Sequence, residues 1–373
     1  MKFIINCSTL KVGGGVQVAH SFVSDLHKYP QHQFLVVVSG VLHEQLKNLE
    51  QSASIKIVIY NIQPSILKIF TGNDAFLNKL EQDFKPNAVF TVFGASYWKP
   101  KAKHIIGYAR PNFIYYESPY FKQISIIEKM KNKLLHFIQL HDFKHNNDCI
   151  VTENEDVTNR LQQILPSKKI VTVTNFYNQI FDNPSKWDNS MQLSSDENIF
   201  KLLTISANYP HKNLQIITKV IPILKEKYPS FNYKFYITQS KNIFEQEFAQ
   251  KYSENIEFLG SVSINKCPSL YKQTHAMFLP TLLECFSASY PEAMVMKRII
   301  LTSDLSFARG ICANAAVYFN PLNPTEIAEK IYETATNISK QNDLVKNGKE
   351  RLLIFDTSAQ RTKKYIKLLE SIN

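Results

Sequence analysis

The sequence has few cysteines and no long apolar run. Its five cysteines form no CxxC pair and no cluster with histidines, so we expect buried, reduced thiols rather than a zinc site or a disulfide framework. No run of about 18 apolar residues is present, and the sequence therefore predicts no transmembrane helix. The first residues, MKFIINCSTL, lack the apolar core and cleavage site of a signal peptide, which favours a cytoplasmic protein.

Acidic residues are outnumbered by basic ones. The 373 residues include 43 lysines and arginines against 32 aspartates and glutamates, which gives a net charge of +11. Such an excess favours anionic partners, among them nucleic acids, acidic lipid surfaces and phosphorylated small molecules. The lysines are spread along the chain and no nucleic-acid-binding motif is present, so we expect no nucleic acid partner.

Short runs of β-branched and aromatic residues alternate with amphipathic stretches of helical length. Continuous apolar strands separated by helices are typical of parallel sheets that helices cover on both faces. The predicted strands are 2–7, 34–39, 54–60, 88–94, 104–109, 149–153 and 170–175 in the first half, and 200–206, 233–238, 256–260, 276–281, 299–303 and 316–320 in the second. The pattern predicts an α/β protein with two doubly wound, Rossmann-like domains.

A polar segment without periodicity, 182–198, separates the two sets of strands and has the composition of a linker. We therefore expect an N-terminal Rossmann-like domain at 1–181 and a C-terminal one at 199–357, facing a central cleft. Residues 358–373 have a helical pattern, and one option for this helix is to pack back on the N-terminal domain.

Three glycines, Gly13 to Gly15, follow the first predicted strand and open a helix. Glycines at this place let the backbone approach a ligand and expose amides at a helix N-terminus. The dinucleotide fingerprint is incomplete, because Val18 occupies its last position and no acid ends the second strand, so NAD binding is not expected. Two interpretations stay open: a loop that approaches a phosphate, and a tight turn without a ligand.

The second half begins with a similar strand, loop and helix, and this loop carries Lys212. A lysine at the carboxyl end of a parallel sheet lies where ligands bind, and a point cation beside a helix N-terminus suits a diphosphate. The alternative interpretation is a solvated surface lysine.

The stretch PTLLECFSASYPEAM places Glu284 and Glu292 in an otherwise apolar, small-residue segment. Carboxylates are rarely buried without a partner. The pattern puts Glu284 at the carboxyl end of a strand and Glu292 two turns into the next helix, where both can accept hydrogen bonds from sugar hydroxyls. Unpaired amides of the first helical turn can contact phosphate or sugar oxygens. The alternative is that Glu284 caps the helix and Glu292 forms a surface ion pair.

These motifs together resemble a known family. Glu284–x7–Glu292, the EAM at 292–294, HKN at 211–213, IEFLGSV at 256–262, the early glycines and the segment 302–321 stand in the order and spacing of retaining GT-B glycosyltransferases of family 4, the glycosyl transferases group 1. The resemblance covers nearly the whole chain. It implies transfer of a sugar, of the hexosyl type, from a nucleoside-diphosphate sugar to a glycan or lipid-linked acceptor in bacterial surface polysaccharide synthesis. It also implies no metal and no cofactor besides the donor, and the chain indeed has no Asp-x-Asp triplet.

The resemblance implies roles for individual residues. Glu284 would lie near the hydroxyls of the donor sugar and Lys212 would contact the diphosphate, which makes these two the catalytic candidates. Glu292 would bind the ribose hydroxyls of the nucleotide. The other donor-binding candidates are Gly14, Gly15, Arg110, Asn208, Cys285, Phe286 and Ser287.

The chain departs from the family pattern at two places. Members often have glycine where this chain has Cys285 and Ser287, which changes the pocket near the sugar. An arginine commonly precedes the lysine in its loop, whereas this chain has Asn208 in that neighbourhood, and Arg110 is the candidate for a second cation. The departures at Cys285 and Ser287 leave open a rival function, a non-catalytic nucleotide-sugar-binding partner. A second rival is a nucleotide-sugar epimerase of the same fold, and the spacing of the two glutamates is evidence against it.

The stretch 122–145 has an apolar helical face with Lys131 and Lys133 at its flanks. The apolar positions of this face are Ile127, Met130, Leu134, Phe137 and Ile138. One interpretation is a helix that packs its apolar stripe on the first sheet. The other is a basic amphipathic helix that lies on an anionic membrane at its inner face, where many members of the resembled family modify lipid-linked acceptors.

Overall fold

The apolar runs of the first half form a parallel sheet. The computed structural model describes residues 1–47 and 52–372. The strands of this sheet are β1 (Lys2–Cys7), β2 (Gln33–Val38), β3 (Ile55–Ile59), β4 (Ala88–Thr91), β5 (Lys103–Gly107), β6 (Cys149–Thr152) and β7 (Lys169–Thr172). Their order across the seven-stranded sheet is β3-β2-β1-β4-β5-β6-β7.

The second half forms a parallel sheet of its own. Its strands are β8 (Phe200–Thr204), β9 (Tyr233–Ile237), β10 (Ile256–Phe258), β11 (Ala276–Leu279), β12 (Ile299–Ser303) and β13 (Val317–Phe319). Their order is β10-β9-β8-β11-β12-β13. In both sheets the first strand of the set lies inside the sheet, which is the doubly wound arrangement that the alternating pattern predicted. This prediction is confirmed.

The strands are apolar at successive positions because helices or loops cover both faces of each sheet. In β2, for example, Phe34, Val36 and Val38 belong to one hydrophobic cluster, while Leu35 and Val37 belong to another on the opposite face. A strand buried in this way has no polar alternation, and this is why the runs could be identified as interior strands.

Helices connect the strands. In the first half of the chain they are α1 (Gly14–Asp25), α2 (Gly40–Leu46), α3 (Ile66–Thr71), α4 (Ala75–Phe84), α5 (Tyr120–Gln123), α6 (Ile126–His145) and α7 (Glu155–Ile164). In the second they are α8 (Ile217–Lys227), α9 (Gln246–Lys251), α10 (Cys267–Lys272), α11 (Ser289–Val295), α12 (Ser306–Cys312), α13 (Pro324–Thr336), α14 (Ile338–Leu352) and α15 (Ser358–Ser371). None of the helices in the described part of the chain combines the length and the apolar character needed to cross a bilayer.

The chain divides into two units that do not follow the sequence in two blocks. The first unit contains Met1–Tyr116, Ile124–Asn175 and Asp356–Asn373. The second contains Glu117–Gln123 and Phe176–Phe355. The short segment Glu117–Gln123 therefore belongs with the second unit although its neighbours in sequence belong to the first. The cleft expected from the sequence stays a prediction.

The predicted linker, 182–198, lies in the second unit and is tied to it by hydrogen bonds. The backbone N–H of Leu193 donates to the side-chain oxygen of Gln273 at 2.9 Å, and Gln273 Nε2 donates to the carbonyl of Met191 at 3.0 Å. Gln273, just after α10, thus holds the segment 182–198 against the rest of the second unit. The polar composition of this segment did not indicate such a contact.

The C-terminal helix α15 belongs to the first unit. A capping box of Thr357 and Gln360 starts the helix. On its buried face, the ring of Tyr365 lies 5.2 Å from the ring of Phe22 in α1 and 4.8 Å from that of Phe90 in β4. The helix therefore completes the core of the first sheet. Of the residues predicted for it, 373 lies outside the described part of the chain.

Replacement of Tyr365 by alanine should test this packing. We expect Tyr365→Ala to lower the free energy of unfolding of the first unit by about 3–5 kcal/mol, because the change removes a buried ring and leaves a cavity. Lys367→Ala, on the exposed face of the same helix, is the matched control and should change stability little. Urea denaturation measures the free energy of unfolding of both variants. A loss for Tyr365→Ala as small as that for Lys367→Ala would contradict a contribution of α15 to the core.

Candidate active site

Two loops of the second unit meet at the carboxyl ends of neighbouring strands. One loop follows β8 and ends in a short 3-10 helix, Pro210–Lys212, and the other follows β11. The N–H of Leu282 donates to the carbonyl of His211 at 2.7 Å, and the hydroxyl of Thr281 donates to the same carbonyl at 3.2 Å. These bonds hold the two loops in one fixed register.

Lys212 and Glu284 form an ion pair across these loops, in which Lys212 Nζ donates to Glu284 Oε1. The hydroxyl of Thr281 also lies 2.9 Å from the same carboxylate oxygen, so its single proton is shared between this oxygen and the carbonyl of His211. The two charged side chains are only 13% and 10% exposed. Since both charges are largely withdrawn from water, each depends on the other for its electrostatic stabilisation. The sequence predicted both residues at this edge of the sheet but did not predict that they pair with each other.

Glu292 lies in the first turn of α11 and is buried. The hydroxyl of Tyr271, in α10, donates to Glu292 Oε2 at 3.3 Å. Burial raises the pKa of Glu292 to about 7, and the hydrogen bond from Tyr271 opposes this rise only in part. The carboxyl group is therefore poised to change its charge near neutral pH.

The sequence-based placement of Glu292 two turns into a helix is wrong, because α11 begins only at Ser289. Pro291 gives the physical reason. A helix that began earlier would need the N–H of residue 291 as a donor to the carbonyl of residue 287, and proline has none. Residues 285–288 therefore form a loop before the helix, and Glu292 lies close to its N-terminal end.

The remaining candidates of the second unit lie in the same two loops. Cys285 and Ser287 are buried, and Phe286 is partly exposed with its ring 6.1 Å from that of Phe355. Asn208 is exposed in the loop after β8. The second unit thus collects seven of the ten candidates at the carboxyl side of β8 and β11.

The other three candidates, Gly14, Gly15 and Arg110, belong to the first unit. Gly13 has a φ of 77°, and a Cβ on Gly15 would lie 3.3 Å from the side chains of Leu10 and Phe93. The turn after β1 therefore explains Gly13 by its backbone conformation and Gly15 by close packing. It does not explain Gly14, whose added Cβ would meet no described atom within 4 Å.

Several residues that contact the candidate site were not predicted from the sequence. Tyr271 reads as an ordinary core aromatic, although its hydroxyl contacts Glu292. Ser118 donates from its hydroxyl to the carbonyl of Leu282 at 2.6 Å and so supports the loop that carries Glu284. A separation of 164 residues between these two leaves no local signal in the sequence. Thr281 and His211 adjoin recognised motif residues and could have been included.

One family model matches part of the chain. Residues 185–370 match the family model of the glycosyl transferases group 1, and these residues include Lys212, Glu284 and Glu292. No curated protein sequence matches the chain significantly.

The fold has counterparts among solved structures. A glycosyltransferase from Rickettsia africae ESF-5 is 14% identical with a TM-score of 0.71, covering 100% of this chain and 98% of the other. WaaG, a glycosyltransferase involved in lipopolysaccharide biosynthesis, is 12% identical with a TM-score of 0.69, and Anabaena HepE in complex with UDP-glucose is 12% identical with a TM-score of 0.68. Both of these cover 100% of each chain. The likeness confirms the predicted GT-B fold.

A double-mutant cycle tests the ion pair. Lys212→Ala and Glu284→Ala should each lower the free energy of unfolding by about 3 kcal/mol, because each leaves the other charge buried without its partner. The double variant should cost less than the sum, since it leaves neither charge behind.

The exposed pair of Lys227 and Glu329, whose atoms lie 2.8 Å apart in the same unit, is the control for this cycle and should show almost no coupling. Urea denaturation gives all the values. Additive effects at Lys212 and Glu284 would contradict a buried, interdependent pair.

Glu292→Gln tests the raised pKa. A carboxyl whose folded pKa lies above its unfolded value loses its stabilising contribution as the pH rises through the folded pKa, here about 7. The glutamine variant has no such loss, so its stability relative to the wild type should improve from about pH 5 to about pH 8, by up to about 3 kcal/mol. Denaturation at the two pH values measures this. An unchanged difference, as expected for Glu350→Gln on the surface, would contradict the assignment.

Proposed function

Because residues 185–370 match the glycosyl transferases group 1 and the chain has the GT-B fold, we propose that the protein is a retaining, metal-independent glycosyltransferase of family 4. It moves a sugar, of the hexosyl type, from a nucleoside-diphosphate sugar to a glycan or lipid-linked acceptor. The observation that carries this proposal is the buried pair of Lys212 and Glu284 on tied loops that end neighbouring strands.

Donor binding in this proposal exchanges the partners of the ion pair. The ammonium of Lys212 turns from Glu284 to the donor diphosphate, which is the stronger concentration of negative charge. Glu284 is then free to accept hydrogen bonds from the hydroxyls of the donor sugar. Backbone amides at 285–287, in the loop before α11, hold the sugar or the distal phosphate.

Glu292 binds the ribose of the nucleotide in this scheme. An ionised carboxylate has two oxygens that accept hydrogen bonds, which suits the two neighbouring hydroxyls of ribose. Because the pKa of Glu292 is about 7, donor binding favours loss of the proton, and the affinity for the donor falls as the pH drops below about 7. Tyr271 keeps the carboxyl oriented through its hydrogen bond to Oε2.

The chemistry is electrostatic. As the bond between the anomeric carbon and the diphosphate oxygen breaks, positive charge builds on the carbon and negative charge on the leaving diphosphate. Lys212 and the loop amides stabilise that negative charge in a site with little water. The acceptor hydroxyl forms the new bond to the anomeric carbon. In a single-step transfer, retention requires approach from the face of the leaving group, so the departing phosphate is the nearest base and takes the proton of the hydroxyl.

Two proteins of known structure bear on the identity of the donor and on the pathway. HepE is described in complex with UDP and glucose and with UDP-glucose, and WaaG as a glycosyltransferase involved in lipopolysaccharide biosynthesis. We accordingly take UDP-sugars as the first donors to test, and we place the reaction in bacterial surface polysaccharide synthesis at the inner face of the cytoplasmic membrane. Gly14, Gly15, Arg110 and Asn208 are retained as proposed donor ligands.

The test begins with a thermal-shift panel of UDP-, GDP- and ADP-sugars, since a bound ligand raises the melting temperature by mass action. With the donor that binds, release of the nucleoside diphosphate is measured with water or a glycan as acceptor. Lys212→Ala and Glu284→Ala should each lower kcat/KM by at least about a hundredfold, because they remove groups that act on the leaving diphosphate and the sugar. Lys219→Ala, on the exposed face of α8, should leave it unchanged.

The outcomes separate the rival functions. Binding of a nucleotide sugar without hydrolysis or transfer identifies a binding partner, and conversion of the donor into an epimeric sugar identifies an epimerase. Full activity of either alanine variant would contradict the assignment of the two catalytic residues.

A further inference from the structure

The helix α6 presents an apolar face to solvent. Five of its large apolar side chains are between 61% and 75% exposed: Ile126, Ile127, Met130, Leu134 and Phe137. At about 100° per residue these positions fall in a single arc of about 100° on the helix surface. Side chains of this size are seldom exposed together on one helix, and a contiguous apolar patch marks an interaction site.

Only the second half of α6 is anchored in the protein. Its buried residues are Ile138, Gln139, Asp142 and Phe143. The carboxylate of Asp142 accepts a hydrogen bond from the N–H of Ser96 at 2.7 Å, which fixes the helix rotationally. Ile138, which the sequence places on the same apolar face, packs with Ile69 of α3. Residues 126–137 include none that is buried, so packing on the sheet does not account for the stripe.

The apolar surface continues onto α3. Ile66, Leu67 and Phe70 of that helix are exposed, and the ring of Phe70 lies 4.7 Å from the ring of His141 on α6. We call the combined surface the docking face. It consists of Ile66, Leu67 and Phe70 of α3 and Ile126, Ile127, Met130, Leu134 and Phe137 of α6.

The charges around the docking face are positive. On the helix surface, Lys131 lies to one side of the apolar arc and Lys133 to the other, and both side chains are exposed. The one exposed acid of α6, Glu128, is engaged in the capping box with Ser125. An apolar stripe with lysines on its flanks is the surface that an interfacial helix presents to an anionic bilayer.

We propose that the docking face lies on an anionic membrane surface, with its apolar side chains at the boundary of headgroups and acyl chains and the flanking lysines on lipid phosphates. A second copy of the chain is the other conceivable occupant. Self-association would bring the lysine flanks of both copies together, and like charges across an interface oppose binding. The net charge of +11 further favours a negatively charged partner. The inference rests on the proposed function in one respect: the membrane is where a lipid-linked acceptor would be met.

Co-sedimentation of the full chain with vesicles tests this inference. The protein should bind vesicles of phosphatidylcholine with phosphatidylglycerol, bind vesicles of phosphatidylcholine alone far more weakly, and dissociate as salt is added. The triple variant Ile127→Ser, Leu134→Ser, Phe137→Ser should bind at least about tenfold more weakly, because it removes most of the apolar area. These side chains are exposed, so the variant should keep the wild-type melting temperature.

A charge-matched pair of variants isolates the position of the lysines. Lys131→Glu with Lys133→Glu should weaken binding to the anionic vesicles at least about tenfold, since each replacement turns attraction into repulsion. Lys346→Glu with Lys349→Glu, exposed on α14, makes the same change in net charge and should retain binding. Equal losses in the two double variants would show that total charge, and not the docking face, drives binding, and would overturn the proposal.

Two further results would also overturn it: no binding of the wild type to anionic vesicles, or a dimer in solution that the serine variant abolishes. Donor hydrolysis with water as acceptor should be unchanged in all these variants, because none of the substituted residues is among the proposed catalytic or donor-binding residues. Failure of membrane binding with intact hydrolysis therefore refutes the docking face alone, whereas a wild type that neither hydrolyses the donor nor transfers its sugar refutes the proposed transferase.

Discussion

The organisation of the candidate site depends on one buried ion pair, that of Lys212 and Glu284. Neither charge could be withdrawn from water at this edge of the sheet without the other. The pair is possible only because backbone and hydroxyl bonds to the carbonyl of His211 hold the two loops together. Parallel strands bring such loops to the same edge, so the doubly wound topology is what turns two distant sequence positions into neighbours.

The same site contains groups that reduce the stability of the fold. A buried carboxyl such as Glu292, with one hydrogen bond from Tyr271, is more easily explained by what it binds than by what it stabilises. The buried ion pair of Glu284 and Lys212 likewise stabilises the folded state less than well-packed apolar side chains of similar volume would. Such departures from the best-packed core concentrate at functional sites, where stability is given up for a prearranged set of polar groups.

Most of the fold could be predicted from the sequence because the residue pattern of a buried strand is local. Runs such as KFIINC are apolar at successive positions, and β1 has the predicted bounds. The position of Lys212 and Glu284 at the carboxyl edge followed from the strand ends in the same way. What could not be predicted was the set of contacts between distant segments: the bond of Ser118 to Leu282, the hydroxyl of Tyr271 on Glu292 and the tie of 182–198 to Gln273. The start of α11 was predicted too early because the missing N–H of Pro291 removes only one backbone hydrogen bond, that to the carbonyl of residue 287.

The place of α15 has a consequence for biosynthesis. The aromatic core beneath it includes Phe22 and Phe90, which leave the ribosome long before residues 358–371 are made. Part of the apolar core of the first unit therefore stays uncovered while Phe176–Phe355 is translated. Nascent chains fold from the N-terminus as they emerge, and uncovered apolar surface invites aggregation. A helix that is synthesised after Phe176–Phe355 thus completes a sheet whose strands all precede that segment.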